Sequence, residues 1–375
     1  MGIIKYPGGK EKELPLIRQY LPQHINNYYE PFVGGGAVYL DIFANKYFIN
    51  DKSKSLMSLY ECIKFQNEEF FTLLSTVNDL WKKLDTFVSD QCAYLYEIYN
   101  FYKNEIITEE ELLQKMDLFF VQYNSDIVLL VGNLDVNYTF VFTKTLKKTC
   151  KRKFLRMKVL EKTKRKLPEE DIRKNILGCF KASFYTFIRE LYNHPLKHSN
   201  AFNAVTYVFM RDMCYSGMFR FNDKGEFNVP YGGISYNHKN YDGTLKKFKN
   251  QSLLNRLSNT VLGCDDYLDF LNVYVPEKDD FMFIDPPYDS EFSTYDGNIF
   301  DLNSQKNLAN FLINNCNCNF MIDIKYTDFI SNLYPLGKIC KNGNPIKIIY
   351  FDKKYFVSFM NRNDKTAEHM LIMNY

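Results

Sequence analysis

Apolar residues form short unbroken runs near both ends of this chain and recur every three to four residues between them, which predicts strands flanking a helical stretch. Near the start, Asn27-Tyr28-Tyr29-Glu30-Pro31-Phe32 reads as a strand entering a turn at Val33-Gly34-Gly35-Gly36. Val38, Leu40, Ile42 and Phe43 then predict a short helix over 37–44, and 46–50 a second strand ending at Asp51. From about 55 to 200 the spacing is helical, as in Phe70-Phe71-Thr72-Leu73-Leu74 and from Leu112-Leu113 to Phe119-Phe120. Asp223-Lys224-Gly225 and Tyr231-Gly232-Gly233 mark turns and predict a hairpin around Glu226-Phe227-Asn228-Val229, within 220–233. After about residue 252 strands return at Val261-Leu262-Gly263-Cys264, Phe281-Met282-Phe283-Ile284, Phe320-Met321-Ile322-Asp323-Ile324, 346–350 and 370–373. A helix from Leu302 to Asn314 is expected among them, capped by Asp301. The sum is an α/β chain in which a doubly wound sheet, from 1–60 and 251–375, is interrupted by a mainly helical insertion over 61–250.

Composition sharpens this only in places. With 375 residues, 46% hydrophobic and 17% aromatic, the chain can bury a large core, and two lobes are expected. A net charge of +3 means that any affinity for nucleic acid rests on local patches. One such patch lies between Lys144 and Lys174, with Lys147-Lys148, Lys151-Arg152-Lys153 and Lys164-Arg165-Lys166. It reads either as a solvated helix face with a loop at Pro168 or as an arm contacting phosphates. The nine cysteines include no C-x-x-C pair and none is spaced from a histidine as zinc ligands are; Cys316 and Cys318 read as core or surface thiols, and no metal is expected. No signal peptide or apolar stretch of membrane-spanning length is present, which points to a reducing cytoplasm and no membrane role. Tyr6 stands where N-myristoylation would need Ser or Thr.

The candidate chemistry gathers at strand ends. Asp285-Pro286-Pro287-Tyr288 closes the apolar run 281–284, and two prolines can neither continue a ladder nor start an ordinary helix. The rigid corner offers a carboxylate, a carbonyl and an aromatic plate, a kit suited to a flat ring bearing an exocyclic amino group. Gly34-Gly35-Gly36 by itself is equally the mark of a tight turn. Followed by Asp51 at the end of the next strand, it suggests an adenosine-containing cofactor, with the acid on the ribose. Lys5-Tyr6-Pro7-Gly8-Gly9-Lys10 lacks the spacing of a phosphate loop.

In this order, and over nearly the whole chain, these residues resemble the Dam-type (D12 class) adenine-N6 DNA methyltransferases. The resemblance implies a Rossmann-like methyltransferase sheet with an inserted, mainly helical target-recognition domain. It makes Asp285, Pro286, Pro287 and Tyr288 the catalytic motif, with Tyr288 stacking on an adenine flipped out of the duplex. It assigns S-adenosylmethionine to Tyr6, Lys10, Phe32, Gly34, Gly35, Gly36, Asp51, Asp266, Tyr267 and Asp285, although Lys10 reads equally as a surface lysine. Two segments, 215–222 and 224–232, resemble the family's target-recognition region. With the N-terminal element, they give Lys5, Tyr215, Ser216, Arg220, Asn228 and Pro230 as the expected contacts to double-stranded DNA.

Departures are also visible. Ser216 stands where the members that methylate GATC carry Asn, and Gly233-Ile234 replaces a basic-aromatic pair, so a GATC-like target is compatible but not fixed. An insertion over about 85–175 makes the chain longer than compact members. A monomer acting in the nucleoid-associated cytoplasm is expected, and a cognate restriction endonuclease is a compatible partner. Three alternatives stay open: methyl transfer to another acceptor, such as cytosine N4 or a protein side-chain amide; DNA binding without catalysis; and a nicotinamide oxidoreductase, which would leave the 285–288 corner without a role.

Overall fold

The computed structural model describes residues 2–132, 134–163, 166–287, 294–295, 298–354 and 366–375. Tyr288, expected to stack on the target base, lies outside the described residues. Nine strands occur in these segments: β1 (Asn27–Glu30), β2 (Lys46–Asn50), β3 (Thr260–Gly263), β4 (Phe281–Ile284), β5 (Thr294–Tyr295), β6 (Asn298–Ile299), β7 (Asn319–Lys325), β8 (Lys347–Lys354) and β9 (Thr366–Met373). Seven of them form one sheet in the order β3-β2-β1-β4-β7-β9-β8, while β5 and β6 pair with each other. Neighbours from β3 through β7 run parallel, and β9 lies antiparallel between β7 and β8.

This order decides where a ligand can sit. From β1 the chain steps outward to β2 and β3 on one side, whereas β4 and β7 lie on the other. In open parallel sheets the connections part at such a reversal and leave a crevice beyond the carboxyl ends of the strands. Here those ends are Glu30 of β1 and Ile284 of β4, followed directly by Asp285. All four residues of β4 are fully buried, as expected of a central strand covered on both faces. The helix Leu302–Asn314 packs Leu308 and Leu312 into the same core as Met282, Ile284, Phe320 and Ile322. Its N-cap is Asp301, whose carboxylate accepts from Ser304 N at 2.8 Å.

One expectation fails for an instructive reason. Residues 37–44 form a series of turns rather than a helix. The carbonyls of Tyr39 and Ile42, which a continuing helix would need, instead accept from the Arg256 guanidinium, and the Tyr39 hydroxyl is held by Thr260. Residues 226–229 belong to no extended strand, although Phe221 and Phe227, on either side of the turn at 223–225, are both β-bridge residues. Phe227 and Val229 are buried, but their backbone groups bond to side chains: Asn193 pairs with Phe227 N and O, and Tyr185 donates to Val229 O at 2.8 Å.

The chain divides into two compact units. One holds the sheet and comprises Met1–Gln66, Phe219–Gly225 and Lys247–Tyr375; the other comprises Asn67–Met218 and Glu226–Lys246. The second unit is helical, with long helices at Glu68–Lys103, Thr139–Thr163 and Glu169–Tyr192 and shorter ones at Glu109–Gln122 and Asn200–Met213. Its core centres on Trp81, packed edge-on against Phe184 and Phe209. The fully buried Lys181 crosses this core, donating to Trp81 O at 2.6 Å and to Asp85 at 2.7 Å. No helix among the described residues is long and apolar enough to cross a membrane.

Within the sheet unit, Asn50 fastens three strand ends at once. Its amide donates to Pro31 O and Asp265 O, both at 3.1 Å, and accepts from Asp265 N at 3.0 Å. Replacing it with Leu removes all three bonds and deprives the buried Pro31 carbonyl of this donor, at a cost of about 1–3 kcal/mol. Urea denaturation of Asn50→Leu should therefore show a clearly lowered midpoint; a loss below about 1 kcal/mol would show that the strand ends hold without it.

Candidate active site

The turn after β1 is built around its glycines. Gly34 and Gly36 have φ of 49° and 72°, a left-handed region that side chains resist. Space also forbids substitution: a Cβ on Gly36 would lie 2.4 Å from the Tyr60 hydroxyl, and one on Gly35 2.6 Å from the Ile4 carbonyl. The N-terminal segment lies against the turn, with Ile3 N donating to Gly35 O at 2.7 Å and the Tyr6 ring beside Gly34. Asp51 then locks it from the end of β2, accepting from Gly34 N at 3.0 Å and Ser53 N at 2.9 Å.

The same cleft brings together Tyr6, Lys10, Phe32, Gly34, Gly35, Gly36, Asp51, Asp266, Tyr267, Asp285, Pro286 and Pro287. One wall is aromatic: Phe32 lies 5.2 Å from Tyr267 and 5.6 Å from Phe300, centroid to centroid. Asp266 caps the helix Tyr267–Val273 by accepting from Leu268 N at 3.1 Å, and its other oxygen is 3.4 Å from Lys52.

Lys10 is no surface lysine. It is 2% exposed, and its ammonium lies 2.6 Å from Asp285 and 3.9 Å from Asp323. Asp323, in β7, is fully buried and sits 3.3 Å from His369 of β9. Nearby, Lys353 pairs with Glu13 at 3.0 Å. Burial pushes the Asp285 carboxyl up to about 6, with Asp323 adding to the rise and Lys10 and Lys353 opposing it. Burial also acts on Asp323, but Lys10, His369 and Lys353 outweigh it and hold that carboxyl below its ordinary value. Burial likewise lifts Glu30 well above the usual carboxylate range, against the bond from Tyr28 at 2.6 Å. The three acids are thus driven apart: Asp323 is held down, Glu30 is lifted well up, and Asp285 is raised to about 6.

The proline corner is anchored at both ends. Asp285 is tied to Lys10, and Gln305 donates to Pro287 O at 2.7 Å from the helix capped by Asp301.

The expected DNA contacts Lys5, Tyr215, Ser216, Arg220, Asn228 and Pro230 are all exposed. Lys5 and Arg220 belong to the sheet unit; the other four belong to the helical unit. There Tyr215 N donates to Pro230 O at 2.8 Å, and Ser216 adopts a φ of 55°. Asn tolerates that left-handed backbone best among side-chain-bearing residues, so Ser216 holds the conformation at some strain.

A family profile for the D12 class N6 adenine-specific DNA methyltransferases matches residues 6–177 and 157–340. The chain belongs to this family. Similar proteins include the type II methyltransferase M.MjaIII of Methanocaldococcus jannaschii, 26% identical over 99% of this chain and 98% of that protein. The type II methyltransferase M.CviBI of Paramecium bursaria Chlorella virus NC1A is 33% identical over 46% of this chain and 61% of its own length. A DNA adenine methylase of Salmonella typhi is 21% identical over 82% of this chain and 73% of its own. In this D12-class chain the oxidoreductase alternative therefore falls away.

Sequence patterns did not reveal Asp323, His369, Gln305 or Phe300 as neighbours of the site. Each sits in an ordinary strand or helix pattern and becomes notable only through partners far along the chain. The buried charges yield a direct test. A carbon-13 titration of labelled aspartate, assigned with Asp285→Asn, should show one carboxyl titrating near 6. In Lys10→Met the opposing charge is gone, so that midpoint should move upward; a downward or absent shift would contradict the ion pair.

Proposed function

We propose that this protein transfers the methyl group of S-adenosylmethionine to N6 of an adenine flipped out of duplex DNA. The observation that carries the reading is the meeting of the glycine turn, Asp51 and Asp285 in one cleft at the reversal of the sheet order. The donor set fits that cofactor: the Asp51 carboxylate for a ribose diol, an aromatic wall of Phe32 and Tyr267 for an adenine ring, and a turn whose backbone lies open to the cleft. Bound there, S-adenosylmethionine supplies an electrophilic methyl group on a positively charged sulfur.

The protein's own residues do the rest. The adenine amino nitrogen is a poor nucleophile because its lone pair is delocalised into the ring. The Asp285 carboxylate and the Pro286 carbonyl accept hydrogen bonds from its two hydrogens and favour a tetrahedral nitrogen with the lone pair freed. Lys10 and Gln305 hold this corner still, so the acceptors need no reorganisation as charge develops. With a pKa raised to about 6, Asp285 is ionised at neutral pH yet basic enough to take the proton that N6 sheds. Tyr288 is assigned the stacking role on the extruded ring.

The helical unit serves, on this reading, as the inserted target-recognition domain. Lys5, Tyr215, Ser216, Arg220, Asn228 and Pro230 meet the duplex, with Arg220 bidentate to a guanine, worth roughly 1–3 kcal/mol of discrimination. The target is GATC-like, and the enzyme acts as a monomer beside DNA in the cytoplasm. The type II names of M.MjaIII and M.CviBI support a cognate restriction endonuclease as companion.

Mass spectrometry of nucleosides from enzyme-treated, unmodified DNA tests the reaction. N6-methyladenine should form, and Asp285→Ala should lower its rate at least ~100-fold, the scale of losing a positioned polar group at the reacting centre. Formation of N4-methylcytosine instead, or an unaffected Asp285→Ala rate, would overturn the proposal.

A further inference from the structure

The helix Thr139–Thr163 carries nine cations against a single acid, in a chain whose net charge is only +3. The structure separates eight of these cations into two groups; the ninth, Lys153, is half-buried. Lys147 faces Asp117 at 3.5 Å, Lys162 pairs with Glu105, and Lys158 lies 4.0 Å over the Tyr102 ring while donating to Tyr102 O. Lys144, Lys148, Lys151, Arg152 and Arg156 are exposed and have no acidic side chain within 4 Å among the described residues.

The second group is ordered. Lys144, Lys148, Arg152 and Arg156 follow in steps of four, with Lys151 beside them, so they share one face of the helix. Phe142, Leu146, Cys150, Phe154 and Met157 occupy the opposite face and are buried. The charged face therefore has its orientation fixed by core packing and extends for roughly 18 Å at 1.5 Å per residue. Self-repulsion along such a face is unfavourable in isolation and is relieved when an anionic partner lies along it. A duplex presents one negative charge per ~1.7 Å of its axis, a density that a stripe of this length can track.

We propose that this face is a sequence-independent phosphate-contacting surface that seats the backbone of duplex DNA. The inference rests on the DNA-methylating reading and adds to it a role for the segment that lengthens this chain. Such a surface raises affinity for all sequences alike and positions the duplex without reading bases.

The test is the salt dependence of binding. Fluorescence anisotropy with a labelled duplex, from about 50 to 200 mM salt, gives the slope of log K against log salt. Each phosphate contact contributes roughly 0.9 to that slope, so Lys148→Gln/Arg152→Gln/Arg156→Gln should reduce its magnitude by about 2 to 3. Gln keeps helix propensity close to that of Lys and Arg, and a thermal melt confirms that the variant is folded. Lys162→Gln, which removes an already paired cation from the same helix, should leave the slope unchanged. Affinity should fall equally for duplexes with and without the methylation target. An unchanged slope in the folded triple variant would overturn the inference, as would a loss confined to target-bearing DNA. If the unaltered protein methylates adenine while the slopes coincide, only this inference fails; absence of methylation by the unaltered protein defeats the functional reading instead.

Discussion

The site depends on one partly buried ion pair, between Lys10 near the start of the chain and Asp285 at the end of β4. A carboxylate withdrawn from water is costly unless paired, and the cost is greater beside a second carboxylate. Asp285 and Asp323 are such neighbours, and Lys10 lies within reach of both. The same ammonium keeps Asp285 from rising further out of its working range, while burial keeps it from falling to an ordinary aspartate value. One residue thus links the order of the N-terminal segment to the charge state of the corner. Packing of Ile3 and Tyr6 against the glycine turn makes that segment part of the same unit.

Topology explains why residues so distant in sequence can share this chemistry. Parallel strands all direct their carboxyl ends to one edge, and the reversal between β1 and β4 opens the crevice there. Asn50 draws the ends of the first three strands together, so the glycine turn, Asp51 and Asp266 line one side of the cleft. The proline corner closes the other side and cannot relax into helix or strand. Gln305 extends that stiffness by tying the corner to a well-capped helix in the core.

Much of this was legible because it is local. The bounds of β4 and of the helix 302–314 were readable from an unbroken apolar run and from a capping aspartate. The glycine turn and the corner announce themselves by composition, and the family resemblance rests on the same short segments. What was not legible is non-local. Nothing near 37–44 signals that Arg256 will claim its carbonyls, and nothing near 226–229 signals that Asn193 and Tyr185 will bond its backbone. Lys10 looks like any surface lysine until β7 and β4 enclose it, and His369 lies in a run whose pattern speaks only of a strand. Conversely, the basic stretch was ambiguous in sequence because pairing is a three-dimensional property, visible only once Asp117 and Glu105 are placed.

The central claim is spatial: a single cleft accommodates a methyl donor and a nucleobase, with Asp285 between them. A crystal structure with a non-transferable analogue of S-adenosylmethionine measures this most directly. Its ribose should bond Asp51, its adenine should lie against Phe32 and Tyr267, and its methyl-bearing end should point toward Asp285 across a gap wide enough for a planar ring. An analogue seated elsewhere, or one that fills the space in front of Asp285 and leaves no room for a base, would contradict it.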